Sequence, residues 1–241
     1  MNRKLNQEKN VYIFMPCPLF RMINHEHKFI FIHVPKCAGT SIESLFAPDA
    51  EQEDVHGTHN GQVWNKHMTL LDSEHKFPDL SNYFKFSFVR NPWSMTLSMY
   101  KYLWESNYSW PTRWRSNKTK FKYFDIEFSD YVKTYLPNYP TIRSVDIISS
   151  PGREVSVPKS DTLLQWITGK NWSLDFIGKF ENLQKDFNVV CDKIKIPSQQ
   201  LPHHNRTEHE NYTKRYDDET RSIVAEKYAK DIEYFGYEFG E

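Results

Sequence analysis

The sequence predicts an α/β fold, a mostly parallel central sheet flanked by helices. Two observations carry this. Short β-branched and aromatic runs alternate with stretches of helical spacing, and each of the first two runs ends directly at a helix start. With 241 residues, 39% hydrophobic and 16% aromatic, the chain can bury one sizeable core, so 1–241 reads as a single domain.

Residues 1–27 are polar with a small apolar patch and read as an arm on the domain edge. KFIFIHV (28–34) is a buried strand, followed by the loop and helix start of HVPKCAGTSI (33–42). Gly39 through Phe46 carry Ile42, Leu45 and Phe46 at helical spacing. The segment 47–66 reads as an irregular connection. YFKFSFV (83–89) is the second strand and ends at Arg90. Asn91 is a favoured N-cap and Pro92 a favoured first helical residue, and Trp93, Leu97, Tyr100 and Trp104 give that helix an apolar stripe. A helix around 127–136 follows. TLLQWIT (162–168) and SLDFIGKF (173–180) read as two strands flanking a turn, and 181–194 as a helix stopped by Pro197. A polar loop at 201–216 precedes a last helix from a cap near Asp217, turning Ile223, Val224, Tyr228 and Ile232 inward.

Composition narrows the function. The 31 basic and 31 acidic residues cancel, which argues against a generic nucleic-acid binder. Cys17, Cys37 and Cys191 match neither a disulfide framework nor a metal-ligand spacing, so a reducing, cytoplasmic setting is the simpler expectation. VYIFMPCPLF (11–20) is interrupted by Pro16 and Pro18 and falls short of the ~20 residues a membrane span needs. Sequons at Asn107, Asn117, Asn171, Asn205 and Asn211 matter only to a secreted chain.

A strand, a tight turn and a helix N-terminus form a ready anion site, because unpaired N–H groups and the helix dipole both favour negative charge. Lys36 adds a point charge. An ordinary strand-to-helix turn remains the competing reading. A Walker loop would place its lysine after the second glycine, whereas Lys36 precedes Gly39. Arg90 stands at the carboxyl end of a strand, where open α/β sheets bind ligands, and Ser98 lies two turns into the next helix. The two could converge on a second phosphate, or Arg90 could pair with a carboxylate while Ser98 faces water.

Taken together, VPKCAGTSI resembles the 5′-phosphosulfate loop of sulfotransferases that use 3′-phosphoadenosine 5′-phosphosulfate (PAPS), and FVRNPWSMTLSMY resembles their 3′-phosphate element. The similarity is strongest to the carbohydrate group that includes heparan and chondroitin enzymes, in compact bacterial form. IGKFENL (177–183), LPHHN (201–205) and YAKDIEYFGYEF (228–239) resemble the same group. The resemblance implies a P-loop-like nucleotide-binding core. It implies that Pro35, Lys36, Cys37, Ala38, Gly39, Thr40 and Ser41 hold the donor's 5′ end, and that Arg90 and Ser98 hold its 3′-phosphate. It further implies that Lys36 neutralises charge on the departing oxygen, that PAP is the product, and that no metal takes part. KHMTLLD (66–72) resembles a heparan-type segment, which makes His67 the expected general base. His56 and His59 are rivals, and His33 reads as structural. Residues 201–216 are a candidate cover for the cofactor. Arg113, Arg115, Lys118, Lys120 and Lys122, with Trp110 and Trp114, could hold a carbohydrate acceptor, or form a solvated basic loop. Glu181 and Asn182 read as capping residues, Trp166 as core, and Cys37 as non-catalytic. The absence of paired cysteines and of a membrane anchor departs from Golgi enzymes. An ATP-dependent kinase and a non-catalytic nucleotide-binding module are the alternative functions.

Overall fold

A computed structural model describes residues 22–46, 56–59, 62–65, 68–102, 126–136, 162–202 and 211–241. Its centre is a four-stranded sheet in the order β1-β2-β5-β6, with β1 Ile23–Asn24, β2 Phe29–Ile32, β5 Phe84–Val89 and β6 Phe176–Lys179. β2, β5 and β6 run parallel, and β1 pairs antiparallel on the outer edge of β2. The mostly parallel α/β expectation therefore holds, with the inner end of the polar arm supplying the one antiparallel edge. Phe29, Ile30, Phe31 and Ile32 in β2, and Phe86 and Phe88 in β5, are fully buried. That is why β2 reads as a continuous apolar run, whereas β5 alternates Phe84, Phe86 and Phe88 with Lys85 and Ser87, which are buried as well.

Helix α1 (Gly39–Phe46) follows β2, and α3 (Pro92–Tyr100) follows β5. The α3 start forms as its sequence dictates: the Asn91 side chain accepts from Trp93 N–H and Ser94 N–H, and Pro92 occupies the first turn. The expected stripe residue Trp104 lies outside the described residues. The helix expected near 127–136 begins as α4 (Phe128–Asp130) and continues as a wider π turn through Tyr135. The helix expected over 181–194 forms as α6 (Leu183–Ile194) after a 3-10 turn at Phe180–Asn182, and buries Phe187, Val190, Cys191 and Ile194.

Several elements differ from expectation. TLLQWIT is not a strand: Leu163–Ile167 form helix α5, capped by a reciprocal Thr162–Gln165 box. The buried Asp231 carboxylate accepts from Leu163 N–H at 3.0 Å and Leu164 N–H at 2.9 Å, supplying partners for two orphan donors from 67–68 residues away. The segment 47–66 is not wholly irregular. β3 (His56–His59) and β4 (Gln62–Asn65) pair antiparallel, and Asn60-Gly61 between them is the favoured two-residue hairpin dipeptide. Helix α2 (Leu70–Lys76) was not foreseen, although Thr69 and Asp72 form a full capping box. The last helix is two, α7 (Asp218–Lys227) and α8 (Ala229–Phe235), broken at the fully buried Tyr228. No described helix is long and apolar enough to cross a membrane.

Candidate functional site

Because β2 and β5 are adjacent and parallel, with Ile32 opposite Ser87, their carboxyl ends leave the sheet side by side. Ser87 Oγ donates to the Ile32 carbonyl at 2.7 Å and ties them. β6 ends beside β5, with Lys179 opposite Val89. Three loops thus gather at one sheet edge, beginning at His33, Arg90 and Phe180.

The first loop is strained. Lys36 and Ala38 adopt φ 64° and 67°, the left-handed region, on either side of Cys37, which does not. Each such non-glycine residue costs about 1–2 kcal/mol and persists only where its surroundings enforce it. Adjacent residues of opposite handedness are the backbone pattern from which anion nests are built. The Cys37 N–H donates to the Val34 carbonyl at 3.3 Å, and the Ser41 and Ile42 N–H groups return to the Ala38 carbonyl at 3.0 and 3.3 Å. Thr40 is exposed at the mouth, while Pro35, Cys37, Gly39 and Ser41 are buried.

Beneath the loop lies a buried pair. His33 Nδ1–H donates to Glu43 Oε1 at 2.7 Å, and the imidazole stacks on Phe31. Its other edge lies against Gly39: a Cβ there would sit 1.9 Å from His33 Nε2. Only glycine fits. His33 is therefore a support of the loop, as its sequence position suggested.

Arg90 closes the junction. It is buried at 6% exposure, donates from Nη1 to the Lys36 carbonyl at 3.2 Å, and donates from Nε and Nη2 to Ser94 Oγ at 3.0 and 2.8 Å. Its guanidinium lies over the Phe180 ring, 3.9 Å from the centroid. Glu181 Oε1 accepts from Asn91 N–H at 2.8 Å, and Tyr237 O–H donates to Glu181 Oε2 at 3.4 Å. Lys36 and Arg90 thus meet at one place, and Glu181 fixes the start of α3 rather than capping its own helix, whose N-cap Asn182 makes no side-chain cap bond. Ser98 stands half-buried on α3, and the hydroxyl that Arg90 engages is that of Ser94. Ser94 lay four residues from Arg90 and one turn before Ser98, so helical periodicity alone could have found it.

The Lys36 ammonium sits over the Tyr102 ring at 4.2 Å. Burial first, and then the Arg90 charge, lower its pKa to about 8. Below that pH the ammonium is charged and attracts an anion; above it the attraction fades. Affinity for a bound phosphate ester is therefore expected to fall as pH rises through about 8, checked by titrating adenosine 3′,5′-bisphosphate (PAP) from pH 6.5 to 9.5. Burial pushes the Cys37 thiol well above its ordinary range, so it is no nucleophile at neutral pH. Trp166 is fully buried in the core. His67, residues 109–124 and 203–210 lie outside the described residues, as do the side chains of His56 and His59. Among the described residues, no group of three or more His, Cys, Asp or Glu is placed to hold a metal ion.

Parallel strand ends that gather a strained loop, a lysine and a partly committed arginine describe an α/β protein able to seat an anionic ligand at its sheet edge. The chain belongs to the Sulfotransferase family, whose model matches residues 21–238. It is 22% identical over 227 residues to human carbohydrate sulfotransferase 9, covering 87% of this chain and 47% of that protein. The chain spans about half the length of that curated relative.

Proposed function

We propose that this protein transfers the sulfuryl group of PAPS to a hydroxyl acceptor, carbohydrate in class. The observation that carries the reading is the Arg90 Nη1 bond to the Lys36 carbonyl, which joins two strand ends 54 residues apart at one sheet edge. The residues fit the donor. Its two anionic ends call for two cationic, N–H-rich subsites, and the loop 35–41 with Lys36 and the Arg90–Ser98 face supply candidates for both. Family membership supports sulfuryl transfer, and the printed name of the human relative supports a carbohydrate acceptor.

In this reading the loop N–H groups orient the 5′ end of the donor, with the Thr40 and Ser41 hydroxyls beside them. Lys36 neutralises the charge left on the bridging oxygen as the sulfur–oxygen bond breaks and the acceptor–sulfur bond forms. His67 takes the acceptor's hydroxyl proton, a task suited to an imidazole with a pKa near operating pH. In-line positioning and electrostatics supply most of the acceleration, as in phosphoryl transfer. The basic, aromatic stretch 109–124 holds the acceptor. A reducing, cytoplasmic setting suits the described cysteines, Cys37 and Cys191, which are both buried and free.

Incubating the chain with PAPS and a panel of sugar hydroxyls is expected to release PAP with sulfation of at least one sugar. His67→Ala is expected to abolish that turnover while leaving PAP affinity within about threefold of wild type. Retained turnover would pass the base role to His56 or His59.

A further inference from the structure

The left-handed conformations of Lys36 and Ala38 need something to hold them before any ligand arrives. Among the described side chains, one residue holds the Lys36 carbonyl. That carbonyl accepts from Arg90 Nη1, and Arg90 is itself fixed by two bonds to Ser94 Oγ and by the Phe180 ring on its face. Of the five N–H groups of a guanidinium, three are spent within the protein among the described residues. One on Nη1 and one on Nη2 are left for a ligand. A residue whose only task was to grip a phosphate would keep its fork open for two parallel bonds.

We propose that Arg90 is a positioning residue for the Lys36 loop as well as a ligand contact, so that the subsite for the donor's 5′ end depends on the residue expected to read its 3′ end. This rests on the donor reading above. Its consequence is that a nucleotide without a 3′-phosphate still needs Arg90. The Arg90 charge also lies close enough to lower the Lys36 pKa, so removing it should move the pH dependence of 5′-phosphate binding upward, an effect that misfolding alone would not produce.

The test is calorimetric titration of wild type, Arg90→Gln, Arg90→Lys and Ser94→Ala with two probes, PAP and adenosine 5′-phosphate, each across pH 7 to 9.5. Unfolding midpoints are measured alongside. The expected result is that Arg90→Gln weakens adenosine 5′-phosphate by about 3- to 10-fold, the range of a lost hydrogen bond, and PAP by more. Its pH midpoint should rise above that of wild type. Ser94→Ala, a milder change that frees Arg90 without removing it, should weaken both probes by about 2- to 5-fold. Arg90→Lys keeps the charge but not the fork, and should restore the midpoint without restoring affinity. The proposal is overturned if adenosine 5′-phosphate binds Arg90→Gln and Ser94→Ala within twofold of wild type while PAP is weakened. If the wild-type protein binds neither nucleotide, the donor reading itself has failed, which is a different outcome from loss of the 3′-dependent part alone.

Discussion

Replacing Lys36 by alanine is expected to lower turnover by about 10²–10³-fold while changing PAP affinity by less than tenfold. The reasoning begins with the backbone. Alanine at φ 64° carries the same left-handed strain as lysine, so the loop is not relaxed by the change and the ammonium alone is removed. That ammonium is partly buried beside the Arg90 charge and poised over Tyr102, where a developing negative charge would find few competing waters. The ammonium attracts the bound nucleotide modestly but meets a larger negative charge as the bond breaks, so its removal costs more in rate than in ground-state binding. Steady-state turnover set beside PAP titration separates the two. Equal losses in both would make Lys36 a binding residue only.

Among the described glycines, Gly39→Ala meets the tightest contact and should be the most damaging added methyl. The added Cβ would meet three atoms of the His33 ring at 1.9, 2.0 and 2.4 Å. The ring cannot retreat without leaving Glu43 or its stack on Phe31. Overpacking costs about 1–3 kcal/mol and disrupting a buried hydrogen-bonded pair adds about 1–3 kcal/mol more, so a loss of about 3 kcal/mol or greater is expected in denaturant unfolding. His33→Ala should partly rescue it, because the cavity accepts the methyl. The double variant would then be less destabilised than the sum of its singles. Strict additivity would mean that the ring and the glycine do not share the space drawn for them.

Glu74 illustrates how acid acts on this fold. Burial opposes its charge, yet N–H groups of Asn171, Trp172 and Lys170 converge on the carboxylate and hold it down to about 2. The contribution is complete above the ordinary glutamate range and disappears as pH falls through about 2. Glu74→Gln, which cannot ionise, should flatten the acid limb of the stability profile in that window.

What could be read from residues alone was what neighbours in sequence decide. The strand at 28–34, Arg90 at the end of the second strand and the Asn91-Pro92 helix start are local signals, and each reappears in the structure. One error came where a short run with four apolar residues fits two templates. TLLQWIT has the length of a strand, and only the Thr162–Gln165 box and the distant Asp231 carboxylate make it helical. The arrangement of the site was legible in its residue types but not in its bonds. Nothing local says that Arg90 reaches the Lys36 carbonyl, that Phe180 lies on its face, or that His33 fills the space over Gly39. Those contacts follow from which strands become neighbours, and strand order is a property of the whole sheet.

One binding experiment goes furthest. PAP titrated into the chain, with ATP as competitor, is expected to bind at one site in the micromolar range or tighter and to resist displacement by ATP at equal concentration. Binding should weaken by about 10- to 100-fold in Arg90→Ala, the range of a lost charged hydrogen bond. Tight ATP binding that PAP fails to displace would contradict the account.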